Sequence, residues 1–493
     1  MINEKSQKIF NNSLLYSLGM VASKAVGFFL VPIYTYNMSK ADYGIATTIT
    51  TFVSTFGIVV MLSLRAAMIR FYNDYSEEEK PRFIGTIVSF IMANAVLVCT
   101  LLCLFNRLYM PFLFKDVDFF PCVFFGVLSL GAEGIYLAYQ SLLQAKQDGK
   151  GYSVNSIIYL FLHAVAVLVF VPWLKMGALG MVLSNFATNI CFAVYGIWSM
   201  CRRGYMVFCW DRKILKGSLR YSLPILPHNL STNLSTYSIK VIINTFLTYA
   251  LSGLYSLAAQ FSTIINLVQS SVNLAFRSWF VEQMQCGEEG RAQIKHMSCM
   301  IMALFSFCAV GISLFSKEIV AIMAEESYLD AWKMIPFFII TQLIAFIYFS
   351  HVQSLMYNVK MSKFTFICSL SGLAVNVAVA LILVKPLHIY GILIAQVVSQ
   401  LVMAALTVVM SRRAEKVDFG LPKMILYIIE AALLMVAGMW VSMYRVNKID
   451  FIAILLKLAL LALAFLLLIF PYINDFKQLI AGLFHKKKKS ARE

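Results

Sequence analysis

Fourteen apolar stretches succeed one another along the chain, at 12–37, 44–64, 83–105, 121–143, 154–174, 177–201, 219–247, 252–276, 296–316, 331–356, 364–384, 389–411, 422–443 and 450–472. About twenty apolar residues in a helix cross the hydrocarbon core of a bilayer, so each stretch predicts a transmembrane helix. The connecting segments are short and leave no room for a soluble domain. Polar positions are superimposed on this pattern as stripes. Span eight carries Ser262, Asn266, Gln269, Asn273 and Arg277, which recur every three or four residues and so share one helical face. Span seven repeats the device with Asn229, Asn233, Tyr237, Lys240 and Asn244, and span four with Glu133, Tyr136, Gln140 and Gln144. Span two has a milder stripe in Thr47, Thr51 and Ser54. Such faces avoid lipid; they serve as polar glue between helices or line a wet cavity. Pro224 and Pro227 should loosen the first turns of span seven.

Composition agrees: 60% of the 493 residues are hydrophobic and 13% charged, which excludes a soluble enzyme. The net charge of +17 would suggest nucleic acid in a soluble protein, but its distribution here is topological. With the N-terminus in the cytoplasm, and Arg220, Lys333 and Lys423 at span ends counted with the loops they adjoin, 29 of the 41 lysines and arginines fall on the inner side and 9 on the outer, leaving Lys24, Lys240 and Lys457 deeper within spans. Both termini are therefore expected in the cytoplasm. The first span lacks a small-residue cleavage site and reads as a retained signal anchor. The run Lys486 to Lys489 reads as an anchor at an anionic leaflet. The ten cysteines, without paired spacing, read as small core hydrophobes, and the outer loop with Glu318, Glu325, Glu326 and Asp330 as a solvated face. No metal-ligand cluster, nucleophile elbow or phosphate-binding glycine loop is present in the sequence, so no catalytic residue and no cofactor are expected.

The chain also repeats itself. Ser13 to Leu18 is echoed by Ser218 to Leu223 at the start of spans one and seven. Tyr43 matches Tyr255, Arg65 matches Arg277, and Ile135-Tyr136 matches Ile347-Tyr348, all 212 residues apart. Gln140 with Gln353 and His163 with Asn376 follow one residue further out. This predicts two six-helix halves, 1–217 and 218–412, related by a pseudo-twofold axis along the membrane normal. Two appended helices over 413–476 and a basic cytoplasmic tail over 477–493 complete the expected organisation.

Intramembrane charge points to function. Lys24 lies near the middle of span one, where a cation needs water or a partner such as Glu133. Lys240 lies on the polar stripe of span seven, from which it could also snorkel outward. Arg65 and Arg277 stand at the cytoplasmic feet of spans two and eight, as symmetry mates, and arginine's planar fork suits a phosphate oxyanion. Glu133 has Ala345 as its repeat counterpart, an asymmetry that suggests a coupling-ion site for H+ or Na+, with a structural ion pair as the alternative. Glu430 and Lys457 read as a pair across the two appended helices, or as groups that tolerate water.

Leu14 to Gly44, with Lys24, Gly27-Phe28-Phe29, Pro32 and the turn Met38 to Gly44, resembles the start of the Wzx-type polysaccharide-transport flippases. So does Tyr221-Ser222-Leu223-Pro224-Ile225-Leu226-Pro227-His228, followed by Gly253 to Ser256. These proteins belong to the MATE-like multidrug, oligosaccharidyl-lipid and polysaccharide exporter superfamily. The resemblance implies a bacterial inner-membrane flippase. Its cargo would be an undecaprenyl-diphosphate-linked oligosaccharide, for O-antigen, capsule or a related glycan, with a glycan polymerase and chain-length machinery as partners. On that reading a cationic cavity of Lys24, Arg65, Lys240 and Arg277 receives the diphosphate, and Asn233, Tyr237, Asn266, Gln269 and Asn273 accommodate sugars. A drug or cation antiporter of the same superfamily would line its cavity with carboxylates instead. A membrane glycosyltransferase or polysaccharide polymerase would present a sizeable outer loop, and an accessory scaffold would need no site at all. The topology has a direct test: reporters fused after Arg203 and Arg413 should signal cytoplasm, and reporters fused after Lys115 and Asp330 the opposite side.

Overall fold

The computed structural model describes residues 27–358, 361, 364–444, 450–475 and 477. Lys24 and the lysine run at 486–489 lie outside them. In chain order the α-helices are α1 Val31–Asn37, α2 Lys40–Met61, α3 Leu64–Phe71, α4 Lys80–Leu104, α5 Asn106–Leu113 and α6 Phe124–Ala145. Next come α7 Gly149–Leu168, α8 Gly177–Arg202, α9 Arg212–Ser222, α10 Leu226–Phe246, α11 Tyr249–Gln285 and α12 Gly287–Leu314. The last are α13 Ser316–Met323, α14 Ile335–Tyr357, α15 Phe364–Ala414, α16 Leu421–Tyr444 and α17 Phe451–Ala464. Eleven helical segments among the described residues are long and apolar enough to cross a membrane. One of them, α15, has 51 residues and holds expected spans eleven and twelve, joined at His388, whose φ of 50° and ψ of −131° break the helix without a loop. Span seven is the polar α10, which Pro227 opens at its first turn, while α9 ends before Pro224. With α15 counted as two spans and α10 as span seven, thirteen of the about fourteen expected spans are helical among the described residues, and span one lies largely outside them.

The chain divides into two compact units, Met1–Gln260 with Ser369–Ser399, and Phe261–Cys368 with Gln400–Glu493. In the first, α2, α4 and α6 pack through Ile49, Phe52, Val60, Ile84, Ile87, Ile91 and Leu130, all essentially inaccessible. The amino-terminal turns of α2 and α11 cross so closely that a Cβ on Gly44 would lie 2.0 Å from the Tyr249 carbonyl oxygen. One on Gly253 would lie 2.1 Å from that of Lys40. Glycine is required at both, and it lets Thr47 and Ser256 share a hydrogen bond of 2.9 Å between their hydroxyls.

At its other end α2 stops abruptly. Leu62 and Ser63 both take left-handed conformations, φ 44° and 57°, and α3 departs in a new direction. Each such residue costs about 1–3 kcal/mol and frees helix carbonyls that hydrocarbon cannot satisfy. Asn94 on α4 answers this by donating to the carbonyls of Val59 and Val60, at 3.0 and 2.7 Å. Asn229 on α10 donates to the Ser63 hydroxyl at 3.2 Å. The break is what turns Arg65 away from the line of α2.

In the second unit, Glu318 corrects the expectation of a solvated acidic loop. The helix resumes over α13, Glu318 is 8% exposed, and both its carboxylate oxygens accept from Lys457 Nζ, at 2.5 and 2.7 Å. Lys457 is fully buried and pairs with Glu318, not with Glu430, whose Oε2 is buried without a hydrogen bond among the described residues. Lys317 beside it donates to the Ser442 carbonyl at 3.0 Å, so α13 grips both appended helices. The cysteines also differ from expectation: Cys299 and Cys368 are buried, but Cys191, Cys201, Cys286 and Cys308 are exposed.

Removing one partner of a buried pair strands the other charge. Lys457→Met should therefore destabilise the protein by about 3–5 kcal/mol, while the double variant E318Q/K457M should recover most of that loss. Thermal unfolding in detergent would show it, and equal losses in single and double variants would exclude the pair as the cause.

Candidate functional site

The polar stripe of α6 organises a site within the first unit. Ser129, Glu133, Tyr136, Gln140 and Gln144 follow one face of this helix, and each meets a different neighbour. In its first half, Glu133 and Ser129 line a small recess of about 70 Å3 with Thr50 and Ser54 of α2, Tyr159 of α7, and Asn185 and Asn189 of α8. The recess is ordered by a relay: the Tyr159 hydroxyl donates to Asn189 Oδ1 at 2.8 Å, and Asn189 Nδ2 donates to Ser129 Oγ at 2.9 Å. Asn185 is turned by a hydrogen bond to the Met181 carbonyl at 3.0 Å. Tyr159 is held in place by stacking on Tyr136, with ring centroids 4.5 Å apart and planes 8° from parallel. Among the described residues no cation pairs with Glu133. A half-buried carboxyl set among neutral hydroxyl and amide groups is suited to carry a proton or to hold a small cation.

The stripe then runs toward the foot of α2. Gln140 donates to the Tyr136 hydroxyl at 2.7 Å and to Ser156 Oγ at 3.1 Å, and Gln144 Oε1 accepts from Arg65 Nη2 at 3.1 Å. Arg65 is half-buried and makes no ion pair among the described residues, so its guanidinium keeps most of its donors for an anion.

Lys240 is buried, 6% exposed, and its ammonium donates to the Thr47 carbonyl at 2.9 Å. One acceptor among the described residues for three donors leaves the charge poorly satisfied. Next to it, Asn244 donates to Thr48 Oγ1 at 3.0 Å, while Asn244 Oδ1 and the hydroxyl of buried Tyr237 find no hydrogen bond among the described residues. Asn233 is half-buried and donates to the Asn229 carbonyl at 3.2 Å.

The α11 stripe belongs to the second unit. Gln269 Nε2 donates to the Gln342 carbonyl at 3.3 Å, and Asn273 Oδ1 accepts from Gln353 at 2.9 Å, so α14 occupies both. Asn266 is half-buried and Arg277 is exposed. The residues expected to bind cargo thus fall into three groups. Glu133 and Arg65 share the α6 stripe, Lys240, Tyr237 and Asn233 stand on α10, and the α11 set lies in the other unit. Asn185, Asn189, Tyr159 and Ser129 were not expected. Their signal was legible in the four-residue spacing of Asn185 with Asn189, which matches that of Ser129 with Glu133.

The family described as polysaccharide biosynthesis protein matches residues 9–280. Lsg locus putative protein 1 of Haemophilus influenzae is 22% identical over 312 residues, 62% of this chain and 73% of that protein. Among solved structures, the lipid II flippase MurJ in an inward closed conformation superimposes with a TM-score of 0.72 at 14% identity, covering 95% of this chain and 100% of MurJ. The MATE transporter VcmN of Vibrio cholerae, in its bent form, gives 0.55 at 13% identity, covering 85% and 98%. These neighbours establish the fold of the polysaccharide and multidrug exporters expected from the sequence. With more than half of its length matched, this multi-pass membrane chain belongs to the polysaccharide biosynthesis protein family.

Proposed function

We propose that the protein is a flippase, moving an undecaprenyl-diphosphate-linked oligosaccharide from the cytoplasmic to the periplasmic leaflet of a bacterial inner membrane. The observation that carries this reading is the family match over 9–280 joined to a MurJ-like fold over 95% of the chain. The repeat supports alternating access, with 1–217 and 218–412 as the moving halves and 413–476 as an appendage beside which the polyprenyl tail travels. Arg65 and Arg277 recruit the diphosphate at the inner face, and Lys24 and Lys240 hold it during crossing. Lys240 exchanges the Thr47 carbonyl for a phosphate oxygen, a gain for an ammonium with so few acceptors. Asn233, Tyr237, Asn266, Gln269 and Asn273 offer amide and hydroxyl groups to the sugars. Glu133 couples the cycle to H+ or Na+ from the neutral recess described above. The glycan then passes to a polymerase and its chain-length machinery on the outer side.

The reading is tested in liposomes carrying a fluorescent undecaprenyl-diphosphate oligosaccharide, by its protection from an impermeant quencher. Protein-dependent flipping is expected. R65Q and R277Q should each slow it about tenfold to a hundredfold, the value of one charge-assisted hydrogen bond to phosphate. K24A and K240M should do the same, and unimpaired flipping in all four would remove the cationic mechanism. No flipping in an assay where a known flippase works, together with proton-driven export of a cationic dye, would favour the antiporter.

Coupling has its own signature. Glu133→Gln should abolish the response to an imposed proton or sodium gradient while leaving gradient-free equilibration measurable. A variant that still accelerates under both gradients would place the coupling group elsewhere.

A further inference from the structure

A second recess, of about 410 Å3, opens in the second unit where α15 ends and α16 begins, and none of the residues assigned to transport lines it. Its inner side is His351 of α14, 3% exposed and packed against Phe419 with ring centroids 4.5 Å apart and planes tilted by 44°. His351 Nδ1 donates to the Ile347 carbonyl at 2.9 Å, so Nε2 is the remaining polar atom of the ring. Val417, Phe419 and Leu421 give the recess an apolar side. Its rim is charged: Arg412, Lys416 and Asp418 line it, and all three are exposed.

The acid is paired chiefly with a cation from outside the lining. Asp418 Oδ2 is 2.7 Å from Lys295 Nζ, and Asp418 Oδ1 accepts the Gly420 amide at 2.8 Å. The Lys295 hydrogen bond holds the Asp418 carboxyl below its ordinary range, so the carboxylate is ionised and already spent on Lys295. Arg412 and Lys416 make no ion pair among the described residues, and Glu415, the other acid of this segment, does not line the recess. Two positive charges therefore flank a volume that is apolar on its other side.

The depth of the recess can be read from its surroundings. Lys423, in the first turn of α16, lies 4.9 Å from the Tyr472 ring centroid and 5.8 Å from that of Tyr427. Basic residues gather at the ends of transmembrane helices in the headgroup layer of a bilayer, and Arg412 and Arg413 in the last turn of α15 join Lys423 here. Free phosphate would meet the same cations but has no use for the apolar side. A phospholipid uses both.

We propose that this recess binds the phosphate of an anionic phospholipid from the adjoining leaflet, with Arg412 and Lys416 on the oxyanion and the glycerol and first acyl carbons against Phe419 and Leu421. Basic recesses between transmembrane helices commonly take such headgroups. This assignment is separate from flipping, because the lipid is a resident of the membrane and not cargo.

Full-length protein in detergent, titrated with phosphatidylglycerol or phosphatidylcholine and followed by native mass spectrometry, should retain phosphatidylglycerol about tenfold more tightly. The double variant R412Q/K416Q should weaken that retention about thirtyfold, with its unfolding temperature in phosphatidylcholine unchanged. Asp418→Asn should act in the opposite direction, since it releases Lys295 to the recess, and it keeps the test open if the double variant folds poorly. Equal retention of the two lipids, undiminished binding by R412Q/K416Q, or weakened binding by D418N would overturn the proposal. Inorganic diphosphate that expels the lipid at equal concentration would assign the recess to a soluble oxyanion and overturn the lipid source.

Discussion

In hydrocarbon no water completes a hydrogen bond, so each polar group within a span must be answered by another part of the chain. The fold can be followed as a set of such answers. The left-handed break after Met61 frees two carbonyls, and one amide, Asn94, takes both. The same break directs Arg65 to Gln144, so a local backbone cost determines where a cation stands. The glycine crossing of α2 and α11 obeys the same logic, since only close approach lets Thr47 and Ser256 satisfy one another.

The positions that are incompletely answered stand out against that background. Among the described residues Lys240 has a single carbonyl, Glu133 has neutral neighbours, and Tyr237 has no partner for its hydroxyl. A purely structural role would be better served by apolar residues of the same size. Retaining ionisable groups there keeps charge available to something that arrives.

Much of this is legible in the sequence, for identifiable reasons. Hydropathy over twenty residues marks spans reliably, and the polar stripes of α6, α10 and α11 are visible because helical spacing survives in the chain itself. The break at Leu62 and Ser63 is not, because neither residue type favours a left-handed backbone and nothing local announces one. Glu318 escapes sequence reasoning for a different reason. Its neighbours Glu325, Glu326 and Asp330 resemble a solvated loop, and the partner that buries it lies on α17, a long-range contact that no local pattern encodes. The match of Asn185 and Asn189 to Ser129 and Glu133 is present but silent, since one helix alone does not say which faces will meet.

The Lys457 and Glu318 pair also bears on biogenesis. The two residues are 139 positions apart, so the carboxylate enters the bilayer long before the ammonium that neutralises it has been synthesised. Until α17 is inserted, Glu318 lacks the cation that engages both its carboxylate oxygens. A nascent chain that stalls in between therefore carries a charged flaw that membrane quality control can detect, and insertion of the final helix erases it.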